Sequence, residues 1–448
     1  MKLLIRYYKN CIPALLLNVL ALMLFLSADG QEIFNLETVK SMAVSHNPLL
    51  GISQHQITES RDSLAIMRSN YYPHVSANAA YLFNDNNNIL INQGALGVIS
   101  GIPIPPQNYT IKAKNNIFIG GVTAMQPLTQ LMKITTGVRA AVTSVSIAEQ
   151  KHIRSVQQLS QGAEKLYFGI LISQKQLQQA QLNIELINLQ LYDVQSALLA
   201  GKTDSVQLYG LQAKLSGQQQ QVMQLENQLE NYKADLNVLM GRDAQQPLML
   251  SMEVMPVTDL QPVTYYQQEG DSNNEDLKIA ALVGQKAQFG VKAAKKEYLP
   301  DVSVFAGYSY NDILDILPNN TFTGGVLLSW NILDFGARKM ALHQRLTQQK
   351  EAEENIAYTK MRANADLVKA YRKVNQSAQL INAAFKTVTF RQRELKLKKD
   401  AHLAGKVLKQ EVLATENDLV QAETDLFAAQ LNYRLALSDL EISAGIYH

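Results

Sequence analysis

The chain of 448 residues is poor in the groups most enzymes depend on. It has one cysteine, Cys11, and that residue lies in the leading segment. Once the leader is removed, no thiol, disulfide or thiolate metal site remains. Charged residues make up 18%, against the ~25% of an average soluble protein. The formal charge is +2, and removing residues 1–30 takes away Lys2, Arg6, Lys9 and Asp29, which leaves zero. A neutral chain gives no reason to expect nucleic acid as partner. After the leader no stretch approaches ~18 consecutive apolar residues, so no membrane-spanning helix is expected. Seven histidines (His46, His55, His74, His152, His343, His402 and His448) form no His-x-x-x-His pair. Glu149 and His152 make one Glu-x-x-His spacing, but a carboxylate-bridged metal site needs a second such pair. There is no Gly-x-Ser-x-Gly or phosphate-loop motif. The expectation is a protein that is not an enzyme, with no cofactor and no metal.

The leader is a secretory signal. A basic start is followed by an apolar stretch from Leu15 to Leu26, and Ala28 and Gly30 precede a cut ahead of Gln31. A single transmembrane anchor is the alternative; the short apolar core and the small residues favour cleavage. Cys11 lacks the small-residue setting of a lipoprotein site, so no lipid anchor is expected.

What the chain does have is helical period. In residues 153–240 apolar positions step by three and four, from Val156, Leu159, Ala163, Leu166 and Ile170 to Val194 and Leu198. After a break at residues 200–204 they resume with Leu208, Leu211, Leu215 and Val222, ending at Leu236 and Leu239. This is the 3.5-residue period of a left-handed coiled-coil seam, with Ser173 and Gln218 as its polar slots. At ~1.5 Å per residue the first arm spans roughly 65–70 Å. The polar faces use Gln and Asn more than charge.

The chain is also written twice. Tyr71-Tyr72-Pro73 is echoed by Tyr298-Leu299-Pro300, an offset of 227 that also pairs Asn47 with Asn274. Farther along the offset is 204, pairing Gly120-Gly121 with Gly324-Gly325, Tyr167 with Tyr371, Ala200-Gly201-Lys202 with Ala404-Gly405-Lys406, and Gly241 with Gly445. The 23-residue difference is an insertion in the first copy, within residues 84–115, whose Asn, Gly and Pro content reads as an exposed loop. The expected organisation is a signal peptide (1–30), a first repeat (31–241), an irregular linker or equatorial element packed on the helices (242–270) and a second repeat (271–448). The second copy keeps its heptad at Leu367, Val374, Ile381, Val388 and Leu395, and again at Val412, Leu419, Leu426, Tyr433 and Leu440.

Each copy is expected to hold a helix, two strands and a long helical hairpin. The strands alternate with period two, as in Val75, Ala77, Ala79 and Tyr81, and in Val302, Val304, Ala306 and Tyr308. That pattern matches a transmembrane β-strand, and also a soluble amphipathic hairpin. Four strands cannot close a barrel, and a sheet with open edges does not survive in lipid, so strands in a membrane require several chains to close one barrel.

On these features the chain resembles the TolC-like outer-membrane efflux proteins of Gram-negative bacteria. The likeness is carried by Asn47-Pro48-Leu49-Leu50, the two Tyr-x-Pro strand starts, the Ala-Gly tips, and Trp330-Asn331-Ile332-Leu333-Asp334-Phe335-Gly336-Ala337-Arg338, which looks like the family's strand-to-helix signature. Copy one lacks the glycine of that signature in Gln126-Pro127-Leu128-Thr129, so its crossover is expected to be shaped differently. The resemblance implies a mostly α fold with a small β part. Long antiparallel coiled-coil hairpins and four transmembrane β-strands per chain would assemble as a homotrimer, with a twelve-stranded barrel in outer-membrane lipid continuing into an α-helical periplasmic tunnel. It implies the exit duct of a tripartite efflux pump or type I secretion system, conducting passively and opened by a periplasmic adaptor (membrane fusion) protein and an inner-membrane transporter. Ala200, Gly201, Lys202, Ala404, Gly405 and Lys406 then become adaptor-docking tips, with Leu198, Leu199, Leu403, Val407 and Leu408 as apolar contact. Glu411 takes the place of an entrance carboxylate that would form a ring in a trimer, while Ala414 stands where the family's second acid would be. His402 and Val407 occupy gate positions held elsewhere by an aromatic and a basic residue, and Gln207 replaces an acid. His402 also falls seven after Leu395 and so continues the seam series. The other reading is a secreted structural coiled coil or adhesin-like surface protein.

Overall fold

The computed structural model describes residues 33–85, 88–92, 98–99, 102–103, 108–251, 259–314 and 318–447. The signal segment, Cys11 and the expected cut lie outside the described residues. In chain order the elements are β1 (Ile33–Phe34), α1 (Leu36–His46), α2 (Pro48–Ser69), β2 (His74–Phe83), β3 (Asn88–Asn92), β4 (Val98–Ile99), β5 (Ile102–Pro103), β6 (Asn108–Lys112) and β7 (Asn116–Pro127). There follow α3 (Gln130–Leu199), α4 (Ser205–Leu239), β8 (Met249–Leu250), α5 (Val263–Asn273), α6 (Glu275–Lys296), β9 (Asp301–Asn311), β10 (Asn320–Ser329), α7 (Ala337–Leu403) and α8 (Lys409–Ala444). They fall into two units: Met1–Gln54, Lys151–Leu277 and Lys360–His448 form one, His55–Gln150 and Lys278–Thr359 the other.

The first unit is helical. Its core has two clusters. One joins Leu36, Val39 and Ala43 to Ala163, Tyr167, Ile170, Leu229, Leu236 and Met240; the other joins Tyr266 to Leu367, Ala370, Val374, Tyr433, Leu440 and Ala444. The two clusters are the same seam positions in the two copies. The 204 offset carries Leu229, Leu236 and Met240 onto Tyr433, Leu440 and Ala444. Volume is redistributed between them: Val39 is replaced by Tyr266, while Ala43 gives way to Gly270 and Met240 to Ala444. Such exchanges keep a core filled without a cavity.

The paired Asn and Gly residues build the same joint once in each copy. Asn47 Nδ2 donates to the Leu239 carbonyl at 2.8 Å, and Asn274 Nδ2 donates to the Ser443 carbonyl at 2.9 Å. Each asparagine thus satisfies a carbonyl left over at the end of a long helix. Gly241 and Gly445 close those helices with left-handed backbone (φ +73° and +69°). A Cβ on Gly241 would sit 2.7 Å from the His46 carbonyl oxygen, and one on Gly445 would sit 2.3 Å from the Asn273 carbonyl carbon, so close approach as well as backbone geometry requires glycine there.

A charge cluster lies inside this unit and has no duplicate. Glu164 is fully buried, 3.0 Å from Arg434 and 3.6 Å from Lys40. The 204 offset places Val368 at the matching position of the second copy. The Lys40 ammonium also lies over the Tyr447 ring, 5.3 Å from its centroid, and burial pushes the Tyr447 phenol up.

In the second unit, β10, β9, β7 and β2 form an antiparallel sheet in that order, with β2 and β10 at its edges. The β7–β9 pairing joins the two copies, and Gly121 permits it: a Cβ there would lie 2.9 Å from the Tyr308 carbonyl oxygen.

Three expectations need correction. The linker 242–270 is not irregular throughout: β8 pairs in parallel with β1, and α5 starts at Val263. Helix α5 is the counterpart of α1, hidden by Pro262, which here only marks the helix start. Residues 84–115 are not all loop: β3 pairs with β6, and β4 with β5, apart from the four-stranded sheet. Helix α3 begins at Gln130, ahead of residue 153, because nothing between them breaks a helix even though the seam period is not yet established.

Candidate functional site

The tips are built by helix-end chemistry. At the first, the Gly201 amide bonds to the Leu198 carbonyl at 3.0 Å and the Lys202 amide to the Ala197 carbonyl at 2.9 Å. At the second, the Gly405 amide bonds to His402 and the Lys406 amide to Ala401, both at 2.9 Å. These are paired closing bonds around a left-handed glycine. Ala200, Gly201, Lys202, Ala404, Gly405 and Lys406 are all exposed, beside exposed Leu199, Leu403 and Leu408. The next helix starts differently in each tip. Asp204 accepts from the Val206 and Gln207 amides at 3.1 and 3.4 Å, whereas Leu408 supplies no side-chain cap.

The gate candidates are only partly brought together. His402 Nδ1 donates to the Val407 carbonyl at 2.7 Å. His402 is exposed, so the buried seam stops at Leu395 rather than continuing to it. Gln207 sits in the first tip, where its side-chain oxygen accepts from the Thr203 hydroxyl at 3.0 Å. Glu411, in the first turn of α8, is 2.8 Å from Lys398 of the facing arm. The hydrogen bond from Lys398, and then its positive charge, hold the Glu411 carboxyl below the ordinary glutamate range. Lys398 was not anticipated, although its place seven before Gly405, against six after for Glu411, marks the two as facing across the hairpin.

The Glu149/His152 spacing does not converge on one site. Glu149 pairs with Arg61 at 2.8 Å, and His152 shares a 2.6 Å bond with Ser53. Among the described residues no group of three or more His, Cys, Asp or Glu could hold a metal, and no helix is long and apolar enough to cross a membrane.

The sheet presents a continuous apolar face. Its registers place Ala77, Val122, Tyr308 and Phe322 side by side in one row, and Val75, Ala124, Ala306 and Gly324 in the next. Tyr81, Val304, Val326 and Leu328 share this face. It is exposed, Val326 to 68%; the opposite face is in large part exposed too, Leu327 to 50%, but is the more polar, with Ser76, Asn78, Thr123, Ser303, Thr321 and Thr323. A sheet made for water buries its more apolar face.

The crossovers from sheet to helix differ, as the missing glycine implied. After β7 only Leu128 and Thr129 intervene before α3. After β10 the chain runs through residues 330–336 before α7. There Asp334 accepts from the Gly336 and Arg338 amides at 3.1 and 3.2 Å and also pairs with the Arg338 guanidinium. That guanidinium lies over the Tyr298 ring, 5.4 Å from its centroid. Phe335 is held in left-handed backbone at φ 50°, which costs about 1–2 kcal/mol in a residue other than glycine.

The model of the outer membrane efflux protein family matches residues 39–242 and 268–445. The chain belongs to this family. Members are outer-membrane efflux channels, and the chain is accordingly a protein of the outer membrane that extends into the periplasm. No curated protein matches it. Solved structures share the fold. The CmeC outer membrane channel of Campylobacter jejuni is 16% identical, with 92% of this chain and 85% of that chain covered and a TM-score of 0.72. The open state of the MtrE outer membrane channel of Neisseria gonorrhoeae is 16% identical, with 92% and 88% covered and a TM-score of 0.69. The outer membrane protein VceC of Vibrio cholerae is 13% identical, with 92% and 96% covered and a TM-score of 0.68.

Proposed function

We propose that three copies of this chain close one twelve-stranded barrel in the outer membrane and that their hairpins form a periplasmic tunnel. The supporting observation is the exposed apolar face of a sheet whose two edges, β2 and β10, are open. Lipid offers nothing to unpaired edge amides and carbonyls. Pairing β2 of one copy with β10 of the next is antiparallel, keeps the face continuous and removes both edges. On this reading residues 31–241 and 271–448 are the two repeats that supply alternate parts of the wall.

The assembly acts as the passive exit duct of a tripartite efflux pump or type I secretion system. A periplasmic adaptor docks at the two exposed tips and couples them to an inner-membrane transporter. Glu411 from each copy contributes to an entrance ring. Because Lys398 of the same chain pairs with each carboxylate, the ring is one of ion pairs, with a cation preference weaker than three free acids would give.

Deleting the gene is expected to raise dye accumulation in cells, and an outer-membrane extract is expected to hold a trimer that resists SDS until heated. A soluble periplasmic monomer would overturn the channel reading in favour of a secreted coiled coil.

A further inference from the structure

The channel reading leaves one buried group without a role: Glu164 and the polar side chains around it. Glu164, on α3, and Ser438, on α8, are both fully buried. Arg434 precedes Ser438 by one helical turn, so the two share a face of α8. Glu164 Oε1 accepts from Arg434 Nη2 at 3.0 Å. Lys40, on α1, is 3.6 Å from the same oxygen and 3.7 Å from exposed Glu37, both long for a hydrogen bond. The Lys40 ammonium lies over the Tyr447 ring. Burial pushes the Tyr447 phenol up and the Glu164 charge adds to this, while Lys40 and Ser438 act the other way, so the phenol lies among all three.

Four polar atoms at this place are shut off from solvent and have no hydrogen-bond partner among the described residues: Glu164 Oε2, Arg434 Nε, Ser438 Oγ and Tyr447 Oη. One orphaned atom is a packing fault. Four that converge from α3, α8 and the segment after α8 have the geometry of a binding site. The mixture of groups selects the ligand. Arg434 Nε only donates, Glu164 Oε2 only accepts, and the two hydroxyls do either. A halide ion would serve the donors but be repelled by the Glu164 carboxylate. A metal cation would serve the carboxylate but be repelled by Lys40 and Arg434. Only a small neutral molecule that both donates and accepts suits all four.

We propose that this cluster holds a buried water molecule, which donates to Glu164 Oε2 and accepts from Arg434 Nε, and that the Ser438 and Tyr447 hydroxyls complete its shell. An internal water of this kind makes about three hydrogen bonds. Tyr447 is the lid of the site: its ring covers Lys40 and its hydroxyl meets the water, so closing it holds α1 against α3 and α8. The second copy has no such node. Lys40 and Glu164 correspond there to Gln267 and Val368, and Gln267 bonds instead to exposed Asn364. Helix α5 therefore serves as an internal control for α1.

Crystals of the full chain grown in bromide instead of chloride test the ligand, at a resolution that shows ordered water elsewhere along α3 and α8. A density peak is expected within hydrogen-bond reach of Glu164 Oε2 and Arg434 Nε, without anomalous signal at the bromine edge. A bromine signal there would overturn the proposal in favour of an anion site. Absence of any peak would overturn it too. Tyr447→Phe tests the lid, because it keeps the ring over Lys40 and removes only the hydroxyl. Backbone amide exchange in α1 is expected to speed up roughly 5- to 30-fold, which is what one unsatisfied buried partner is worth, while α5 stays unchanged. Unchanged exchange in α1 would overturn the lid. Equal acceleration in α1 and α5 would also overturn it, since a general loosening of the unit would then explain the result.

Discussion

The two hairpins descend from one pattern yet meet different surroundings. Helix α4, the return arm of the first, buries Leu229, Leu236 and Asn237. Helix α8, the return arm of the second, buries twelve residues along its length, from Val412 to Ala444. The exposed face of α4 is rich in glutamine, with Gln212, Gln219, Gln220, Gln221, Gln224 and Gln228. The second hairpin is tied across its arms by Arg391–Asp418, Lys398–Glu411 and Lys399–Glu416 at 3.2, 2.8 and 3.6 Å. Its first turn reaches α3 through Lys409–Glu185 at 3.7 Å and through Gln410–Asp193. Duplication therefore preserved the seam and the glycine caps while the flanks diverged. One return arm became internal to its own unit. The other kept a glutamine-rich polar face, with Lys214, Glu226, Glu230 and Asp235 as its exposed charges, where most of the polar surface can meet another protein without stripping water from charge.

Unequal substitutions at equivalent places would break the comparison most clearly. The largest effect is expected where only one copy has chemistry to lose. Glu164→Ala leaves Arg434 without its acid and Lys40 with only the exposed Glu37, 3.7 Å away, and should destabilise the first unit by about 3–5 kcal/mol in urea unfolding followed by circular dichroism; an unchanged midpoint would show that the cluster contributes nothing. Next come the glycines. Gly445→Ala adds overlap with Asn273 to the cost of a left-handed backbone and should lose about 2–5 kcal/mol. Gly405→Ala, whose Cβ would meet nothing within 4 Å, should lose about 1–2 kcal/mol. Equal losses would contradict the close approach described at the joint.

The smallest effect concerns pH. The folded carboxyl of Glu411 titrates below its ordinary value, so its pairing with Lys398 is complete above the ordinary glutamate range and is lost as pH falls through the lowered value. Lys398→Ala should move that titration back up, as read by carboxylate NMR. No movement would mean that the pair does not persist in solution.

Much of this was legible from residues. The seam positions Ala163, Ile170, Val374 and Leu440 are buried as their spacing implied, because a 3.5-residue period has one way to hide its apolar stripe. The tips were legible because a helix end needs glycine. The four main strands were legible from alternation. Helix α5 was hidden by its proline, and the strand pairs within residues 84–115 by turn residues that outweighed their short apolar stretches. Among the site residues, Glu411 could be singled out, whereas its partner Lys398 lies on the other arm and becomes a neighbour only when the hairpin closes.

The stretch at residues 330–338 divides the two kinds of knowledge. Its order of Trp, Asp, Gly and Arg resembled the family's strand-to-helix signature, and it was that resemblance which marked the turn. That Asp334 would collect three donors, that Phe335 would be held in left-handed backbone, and that the odd-numbered side of β2 would align with the even-numbered sides of β7, β9 and β10 into one exposed apolar face were decided by tertiary structure. Register between strands and contacts across a hairpin join residues far apart in the chain, and no local preference specifies which partner each will meet.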